Sequence, residues 1–202
     1  FMTELNIDTE RPESLLKTRG TDHITIWGSN AEDTIEFYQD ILGMALVLKQ
    51  PNLDDPNQTH LFFDTGDGRI LTFFVNDERD SARGQRPQTG SVHHISYKID
   101  PEEFGEITEA LDEKGYGYNI FNRGIFHSIY TQDNNGLVVE LSADKFNIPD
   151  DRRAEVLAKA HELRVEDGAD YAKEEHLEQA LNELEIEYDK VELPEASTGV
   201  GV

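Results

Sequence analysis

An internal repeat constrains this chain more than any other feature of its sequence. Residues 22–27 alternate polar and apolar side chains as a half-buried strand does, and 71 positions later residues 93–98 repeat the same order of histidine, isoleucine and hydroxyl residue. Each segment is followed by a helical pattern and then by three strand patterns, so one unit is present twice. The sequence therefore predicts an α+β fold of two βαβββ modules that pack as pseudo-symmetric halves around one cavity.

Capping and turn residues predict where the helices and strands begin and end. Ser29 or Asn30 can cap the first helix, which ends at Gly43, and Asp100 can cap the second, which ends at Gly115. The last two strands of each module are joined by a tight turn rich in glycine, aspartate or asparagine. The predicted strands cover residues 44–49, 60–64 and 69–75 in the first module, and 116–121, 126–131 and 137–143 in the second.

The two modules are flanked by segments of a different pattern. After the second module the chain reads as two charged amphipathic helices, which we expect to pack on the domain or on a partner subunit. The predicted organisation is an N-terminal arm (1–20), a first module (21–76), a linker (77–90), a second module (91–145), an acidic helical extension (146–193) and a disordered tail (194–202).

The charge of the chain excludes some partners and suggests an environment. The 202 residues include 42 Asp and Glu against 18 Lys and Arg, a formal net charge of -24, and the acidic residues are spread along the whole chain. Such a charge repels nucleic acid and anionic membranes. It is typical of proteins from salt-loving organisms, in which high salt screens the repulsion among carboxylates. No apolar stretch approaches the roughly 20 residues that span a bilayer, so we expect a soluble, cytoplasmic protein.

Glu140 is the most informative single residue. It lies in an apolar strand pattern, where an unpaired charge is costly, so it needs a cationic partner or a metal. Arg123 is one candidate partner. A metal is the other, and because the chain has no cysteine, the ligands must come from His, Asp, Glu and backbone groups.

Strand alternation brings two histidines into the same argument. It places His23 and Thr25 on one face of their strand and His94 and Ser96 on one face of theirs, while Glu140 shares a face with its own alternate neighbours. If the modules pack as halves, His23, His94 and Glu140 converge in one metal-centred half-barrel cavity. Two His and one carboxylate form the set that leaves coordination positions of Fe(II) open. A lone histidine at a strand start can also be purely structural.

These residues resemble the vicinal oxygen chelate superfamily, which includes glyoxalase I, fosfomycin-resistance proteins and extradiol ring-cleaving dioxygenases. The resemblance covers about residues 21–145. It is greatest to hydroquinone-type ring-cleaving dioxygenases, in the segments 22–25, 68–74, 93–96 and 128–130, the last ending ten residues before Glu140. The resemblance implies a dioxygenase that binds Fe(II), or alternatively Mn(II), and cleaves a small catechol or hydroquinone with dioxygen. It leaves open a homo-oligomer in which the modules pair within or between chains.

The resemblance also implies roles for particular residues. His23, His94 and Glu140 match metal ligands. His93 matches a histidine beside the metal, although strict alternation points it to the opposite side of the strand from His94. The other matches are Arg123 as a substrate-contacting arginine, Tyr130 as an active-site tyrosine and Thr25 as a hydroxyl near a ligand.

Two departures and two rival functions qualify the resemblance. Family members of this type commonly have His at the position of Asp22, and they are commonly longer between the halves. A glyoxalase-type lyase or isomerase uses four protein ligands and would have a carboxylate where this chain has Thr72. The other rival is a small-molecule-binding resistance protein of the same fold.

Overall fold

The computed structural model describes residues 7–16 and 18–194, and both repeats form the predicted modules. In the first, β1 (His23–Gly28) leads into α1 (Ala31–Ile35), whose last turns are π-helical (Glu36–Ile41), and then into β2 (Ala45–Pro51), β3 (Thr59–Asp64) and β4 (Ile70–Val75). In the second, β5 (His94–Ile99) leads through a 3-10 turn (Pro101–Glu103) into α2 (Phe104–Glu113), β6 (Tyr118–Asn122), β7 (Phe126–Gln132) and β8 (Val138–Asp144).

Each module forms a mixed four-stranded sheet with the same order. The first sheet runs β1-β4-β3-β2 and the second β5-β8-β7-β6, with the first and last strand of each module parallel. Thr25 lies beside Thr72 in the first sheet, and Ser96 lies beside Glu140 in the second. The register therefore confirms the two-module α+β fold and the equivalence of Thr72 and Glu140.

The helices bury one face of each sheet. Alternate strand residues point toward the helices and form one core that extends through both modules, including Phe63, Phe73, Ile129 and Leu141. The opposite faces are open: Thr25, Trp27 and Ser96 are all exposed. We call these surfaces the first open face and the second open face, after their modules.

The two modules are joined through the helix of the first and the last turn of the second. The hydroxyl of Tyr38 donates a hydrogen bond to Oδ2 of Asp133 at 3.0 Å, and both side chains are fully buried. The backbone N–H and hydroxyl of Ser29 both donate to Oδ1 of Asn135, at 2.7 and 3.0 Å. These contacts hold the modules together without using either open face.

The acidic extension contains the predicted helices as α3 (Arg153–Glu166) and α4 (Glu174–Glu183). They pack around Phe146, Ile148 and Ile186 in a second core. Arg153 fixes this unit to the end of β8 through two hydrogen bonds to Asp144, at 2.6 and 3.0 Å. The predicted disordered tail lies outside the described residues except for its first residue, as does part of the N-terminal arm.

Some local predictions were only partly right. Asn30 caps α1, as one of the two candidates, by accepting a hydrogen bond from the backbone N–H of Asp33. Asp100 occupies the N-cap position of the 3-10 turn, but its side chain makes no capping bond, and its backbone carbonyl accepts from Glu103 instead. None of the helices in the described part of the chain is long and apolar enough to cross a membrane.

Candidate metal centre

Glu140 lies on the second open face, near the centre of its sheet. Its side chain is only 5% exposed, although the face itself is open. Oε1 accepts hydrogen bonds from the hydroxyl of Ser128 at 2.6 Å and from that of Tyr130 at 2.5 Å. Both donors come from the neighbouring strand β7, where alternation places them two residues apart on the same face. The carboxylate is therefore held in one orientation, with Oε2 turned toward β5.

His94 occupies the remaining side of that carboxylate. Its Nε2 lies 3.0 Å from Oε2 of Glu140, and about a third of its side chain is exposed. Its ring also meets the ring of Tyr130 edge to face, with centroids 5.7 Å apart. Glu140 thus pairs with His94, and the alternative pairing with Arg123 is wrong in this structure.

The pKa of Glu140 reflects this setting. Burial raises it, but the hydrogen bonds from Ser128, Tyr130 and Ser96, together with the charge of His94, outweigh burial, so the pKa lies below its ordinary value. Glu140 is therefore a carboxylate at neutral pH. Burial and the bond to Glu140 raise the pKa of Tyr130, which stays a neutral donor.

His93 and Arg123 flank the pair. His93 immediately precedes β5, so strand alternation does not fix its direction, and its Nδ1 lies 2.8 Å from Nδ1 of His94. The guanidinium carbon of Arg123 lies 4.7 Å from the ring centre of Phe121 and 5.2 Å from that of Tyr130. The structure therefore places these two predicted site residues beside His94 and Tyr130.

His23 and Thr25 belong to the other open face. Nδ1 of His23 lies 2.6 Å from Oδ1 of Asp22, and the hydroxyl of Thr72 donates to that of Thr25 at 2.7 Å. The structure therefore brings together His93, His94, Arg123, Tyr130 and Glu140, and separately His23 and Thr25. Within residues 7–16 and 18–194, no three His, Asp or Glu side chains are arranged to hold a metal ion.

Sequence reasoning missed His60, which lies on the first open face. Its ring packs against Phe62 and Phe74, with centroids 3.9 and 4.5 Å apart, and Phe74 in turn meets Trp27 at 5.9 Å. Burial and then the charge of His23 lower the pKa of His60. Its Nε2 is buried and has no hydrogen-bond partner among the described residues. Strand alternation was the signal that could have identified His60, because it places this residue on the face of β3 opposite the buried residues.

The donors on the second open face fit a metal. Two ligand atoms that each lie about 2.1 Å from a metal, at a right angle, are about 3 Å apart. Nε2 of His94 and Oε2 of Glu140 are 3.0 Å apart, a separation compatible with metal binding and equal to that of an ordinary hydrogen bond. An imidazole and a hydrogen-bonded carboxylate are donor types that suit Fe(II) and Mn(II), and these two residues are two of the three predicted ligands.

Comparison with known protein families identifies the superfamily to which this duplicated fold belongs. A sequence profile of the Glyoxalase/Bleomycin resistance protein/Dioxygenase superfamily matches residues 20–141. The chain belongs to this superfamily. The predicted resemblance is therefore confirmed, and the matched segment begins just before β1 and ends within β8.

Two Bacillus subtilis relatives from this superfamily are named as proposed ring-cleaving dioxygenases. MhqE is 35% identical over 103 residues, which are 50% of this chain and 33% of MhqE. MhqA is 27% identical over 128 residues, which are 62% of this chain and 40% of MhqA. The matched part of this chain thus spans about a third to two-fifths of the relatives' length.

Two solved structures show a similar fold. A crystal structure of a proposed dioxygenase from Bacillus subtilis has a TM-score of 0.55 and 27% identity, and the match covers 63% of this chain and 41% of that one. The fosfomycin resistance protein FosX from Listeria monocytogenes has a TM-score of 0.51 and 24% identity, over 63% of this chain and 95% of that one.

Proposed function

We propose that this protein is a non-haem, metal-dependent dioxygenase that cleaves the ring of a catechol or hydroquinone. The buried and hydrogen-bonded pair of His94 and Glu140 carries this proposal, because it combines the two donor types that Fe(II) takes with a third His. Mn(II) is the alternative metal. The names of the two bacterial relatives support a ring-cleaving reaction.

His94 and Glu140, with His23 as the third predicted ligand, would hold the metal, which would supply binding positions for the deprotonated substrate and for dioxygen. The side chains of the chain would prepare that encounter. Ser128 and Tyr130 hold Glu140 ionised and oriented through Oε1, so that Oε2 faces His94, and a metal would bind between these two side chains. Arg123 carries a permanent positive charge beside Tyr130 and would hold a phenolate oxygen.

His93 would move the proton that the substrate hydroxyl loses. For this role the contact of 2.8 Å between Nδ1 of His93 and Nδ1 of His94 would have to open, because a His94 that binds metal through Nε2 carries its proton on Nδ1 and donates it to His93. Thr25 would act as a hydroxyl near the ligand His23 on the first open face, where it accepts a hydrogen bond from Thr72.

The residue at the matched position of the first module supports this choice over a lyase or isomerase. A four-ligand site would need a second carboxylate where Thr72 lies, in register with Thr25 as Glu140 is with Ser96. Thr72 is almost fully buried and bonded to Thr25, so it offers no charged ligand. A three-ligand set would leave coordination positions open for substrate and dioxygen.

The test is oxygen uptake after anaerobic loading with Fe(II), in high salt, against a panel of catechols and hydroquinones. We expect iron-dependent uptake that Glu140→Ala abolishes. His161→Ala, on α3, removes a histidine outside both open faces and should leave the rate unchanged. No uptake by iron-loaded protein across the panel would refute the dioxygenase reaction.

A further inference from the structure

The turn between β7 and β8 contains the one Asn-Gly pair of the sequence, Asn135-Gly136. An asparagine followed by glycine is the pair most prone to deamidation, because glycine has no side chain to keep its backbone nitrogen away from the asparagine amide. Only glycine fits at this position. Its φ is +89°, and a Cβ there would lie 2.5 Å from the backbone nitrogen of Arg83. The fold therefore requires a reactive pair at this turn.

The closed turn holds both reacting groups away from the reaction. Asn135 is buried, and its Oδ1 accepts two hydrogen bonds from Ser29. Its Nδ2 donates to Oδ2 of Asp133 at 3.0 Å and to Oδ1 of Asn134 at 3.2 Å. The backbone N–H of Gly136 donates to the carbonyl of Asp133 at 3.2 Å. Cyclisation needs the amide to turn toward that nitrogen, so these bonds must break first.

Segments from outside the second module close over the turn. Ser29 lies just before α1 in the first module. From the linker, the backbone N–H of Ala82 donates to the carbonyl of Asn135 at 2.9 Å, and the hydroxyl of Ser81 donates to that of Asn134 at 2.8 Å. Opening the turn therefore means lifting it away from both the first module and the linker. The reactivity of Asn135 should report how often this local opening occurs.

We propose that Asn135 is a modification site, which deamidates when the turn opens and then prevents the turn from closing. The backbone nitrogen of Gly136 forms a bond to Cγ of Asn135, the bond from Cγ to Nδ2 breaks, and ammonia leaves with the proton of the attacking nitrogen. Water then opens the cyclic imide, which gives aspartate or isoaspartate. Water is the only co-reactant, and nothing is oxidised or reduced.

The product does not fit where Asn135 was. A carboxylate oxygen would replace Nδ2, which lies 3.0 Å from Oδ2 of the fully buried Asp133. Two buried carboxylates at this distance repel one another, and ionising both is costly. Isoaspartate also adds one carbon to the backbone, which disturbs the register of β7 with β8. Deamidation therefore makes the opening of this turn irreversible at neutral pH.

The test follows deamidation of the full chain in molar salt by peptide mass spectrometry, in heavy-oxygen water that marks the product. The same chain unfolded in urea gives the rate of the unprotected pair. We expect folded wild type to react at least about 10-fold more slowly, because only open molecules react. Tyr38→Phe removes a donor to Asp133 and should speed the folded reaction about 10–100-fold. Tyr118→Phe removes a hydroxyl bonded to the exposed Asp112 and should leave the rate unchanged.

Asn135→Asp makes the product directly and tests the second half of the proposal. We expect it to unfold at lower urea than wild type at neutral pH, with a smaller difference in acid, where the two carboxyls can share a proton. Asn182→Asp, at an exposed position of α4, is the control and should change the midpoint little.

The outcomes are independent of the proposed metal and reaction. Slow deamidation that Tyr38→Phe accelerates, together with a loss of stability in Asn135→Asp, supports the proposal. Folded wild type that deamidates as fast as the unfolded chain, or at a rate that Tyr38→Phe does not change, overturns the control of the reaction by the turn. An Asn135→Asp variant as stable as Asn182→Asp overturns the claim that the modified turn cannot close.

Discussion

Tyr38→Phe tests how the two modules are held together, because it deletes one hydroxyl and little else. Asp133 is fully buried and receives hydrogen bonds from Tyr38, from the backbone N–H groups of Asn135 and Leu137, and from the amide of Asn135. Burial raises the pKa of Asp133 in spite of these donors. A hydrogen bond to a charged group contributes about 1.5–3 kcal/mol. We expect a loss of that size in the free energy of unfolding at neutral pH.

For a chain of this length, that loss lowers the melting temperature by about 3–12 °C, since about 1 kcal/mol shifts it by about 2–4 °C. The loss should shrink in acid. The folded pKa of Asp133 lies above its unfolded value, so stability falls as the pH rises through the folded pKa. Removing a donor raises that pKa further, so the variant and the wild type converge once Asp133 is protonated in the folded state.

Tyr118→Phe is the matched control, measured by urea unfolding in the same molar salt. The hydroxyl of Tyr118 donates to Asp112 at the same 3.0 Å, but Asp112 is exposed, so water can replace the bond. We expect a cost below about 1 kcal/mol. Equal losses for both variants, or a loss for Tyr38→Phe that does not depend on pH, would refute the reasoning.

Three further predictions concern the site, the extension and the solvent. Tyr130→Phe removes a donor to Glu140 and should weaken Mn(II) affinity about 10–100-fold in calorimetric titrations; unchanged affinity would show that the bond does not tune the ligand. Arg153→Met leaves the buried Asp144 with a more distant lysine and should cost about 1–3 kcal/mol, against almost nothing for Arg152→Met, whose ion pair with Glu155 is solvent-accessible; equal effects in urea unfolding would contradict this. The melting temperature should rise as NaCl is raised from 0.1 to 1 M, by screening, and a flat profile would argue against carboxylate repulsion.

The repeat predicted the fold well because strand alternation and turn residues are local signals. Ten strand and helix segments of the modules lie within a few residues of their expected positions, and the matched register of Thr72 and Glu140 follows from aligning the turn glycines. The π-helical turns at Glu36–Ile41 could not be predicted, because the apolar spacing there also fits an α-helix. The missing cap at Asp100 depends on a side-chain rotation that sequence does not encode.

The site was less predictable because it depends on which faces meet. Sequence placed Tyr130 and Ser128 on one face, and the structure adds that both donate to one oxygen of Glu140. His60 was overlooked because its role comes from contacts across three strands, not from a repeat. His23, His94 and Glu140 as ligands remain a prediction, since alternation gives the face of each residue but not the relative placement of the two sheets.

The most direct test of the metal centre is the number of Mn(II) or Fe(II) ions bound per chain, measured anaerobically in molar salt for the wild type and for three single variants. The account predicts one ion per chain in the wild type and in His161→Ala, and loss of the ion in His94→Ala and in Glu140→Ala. Binding that survives in both of the last two variants, or a wild type that binds no ion, would contradict it.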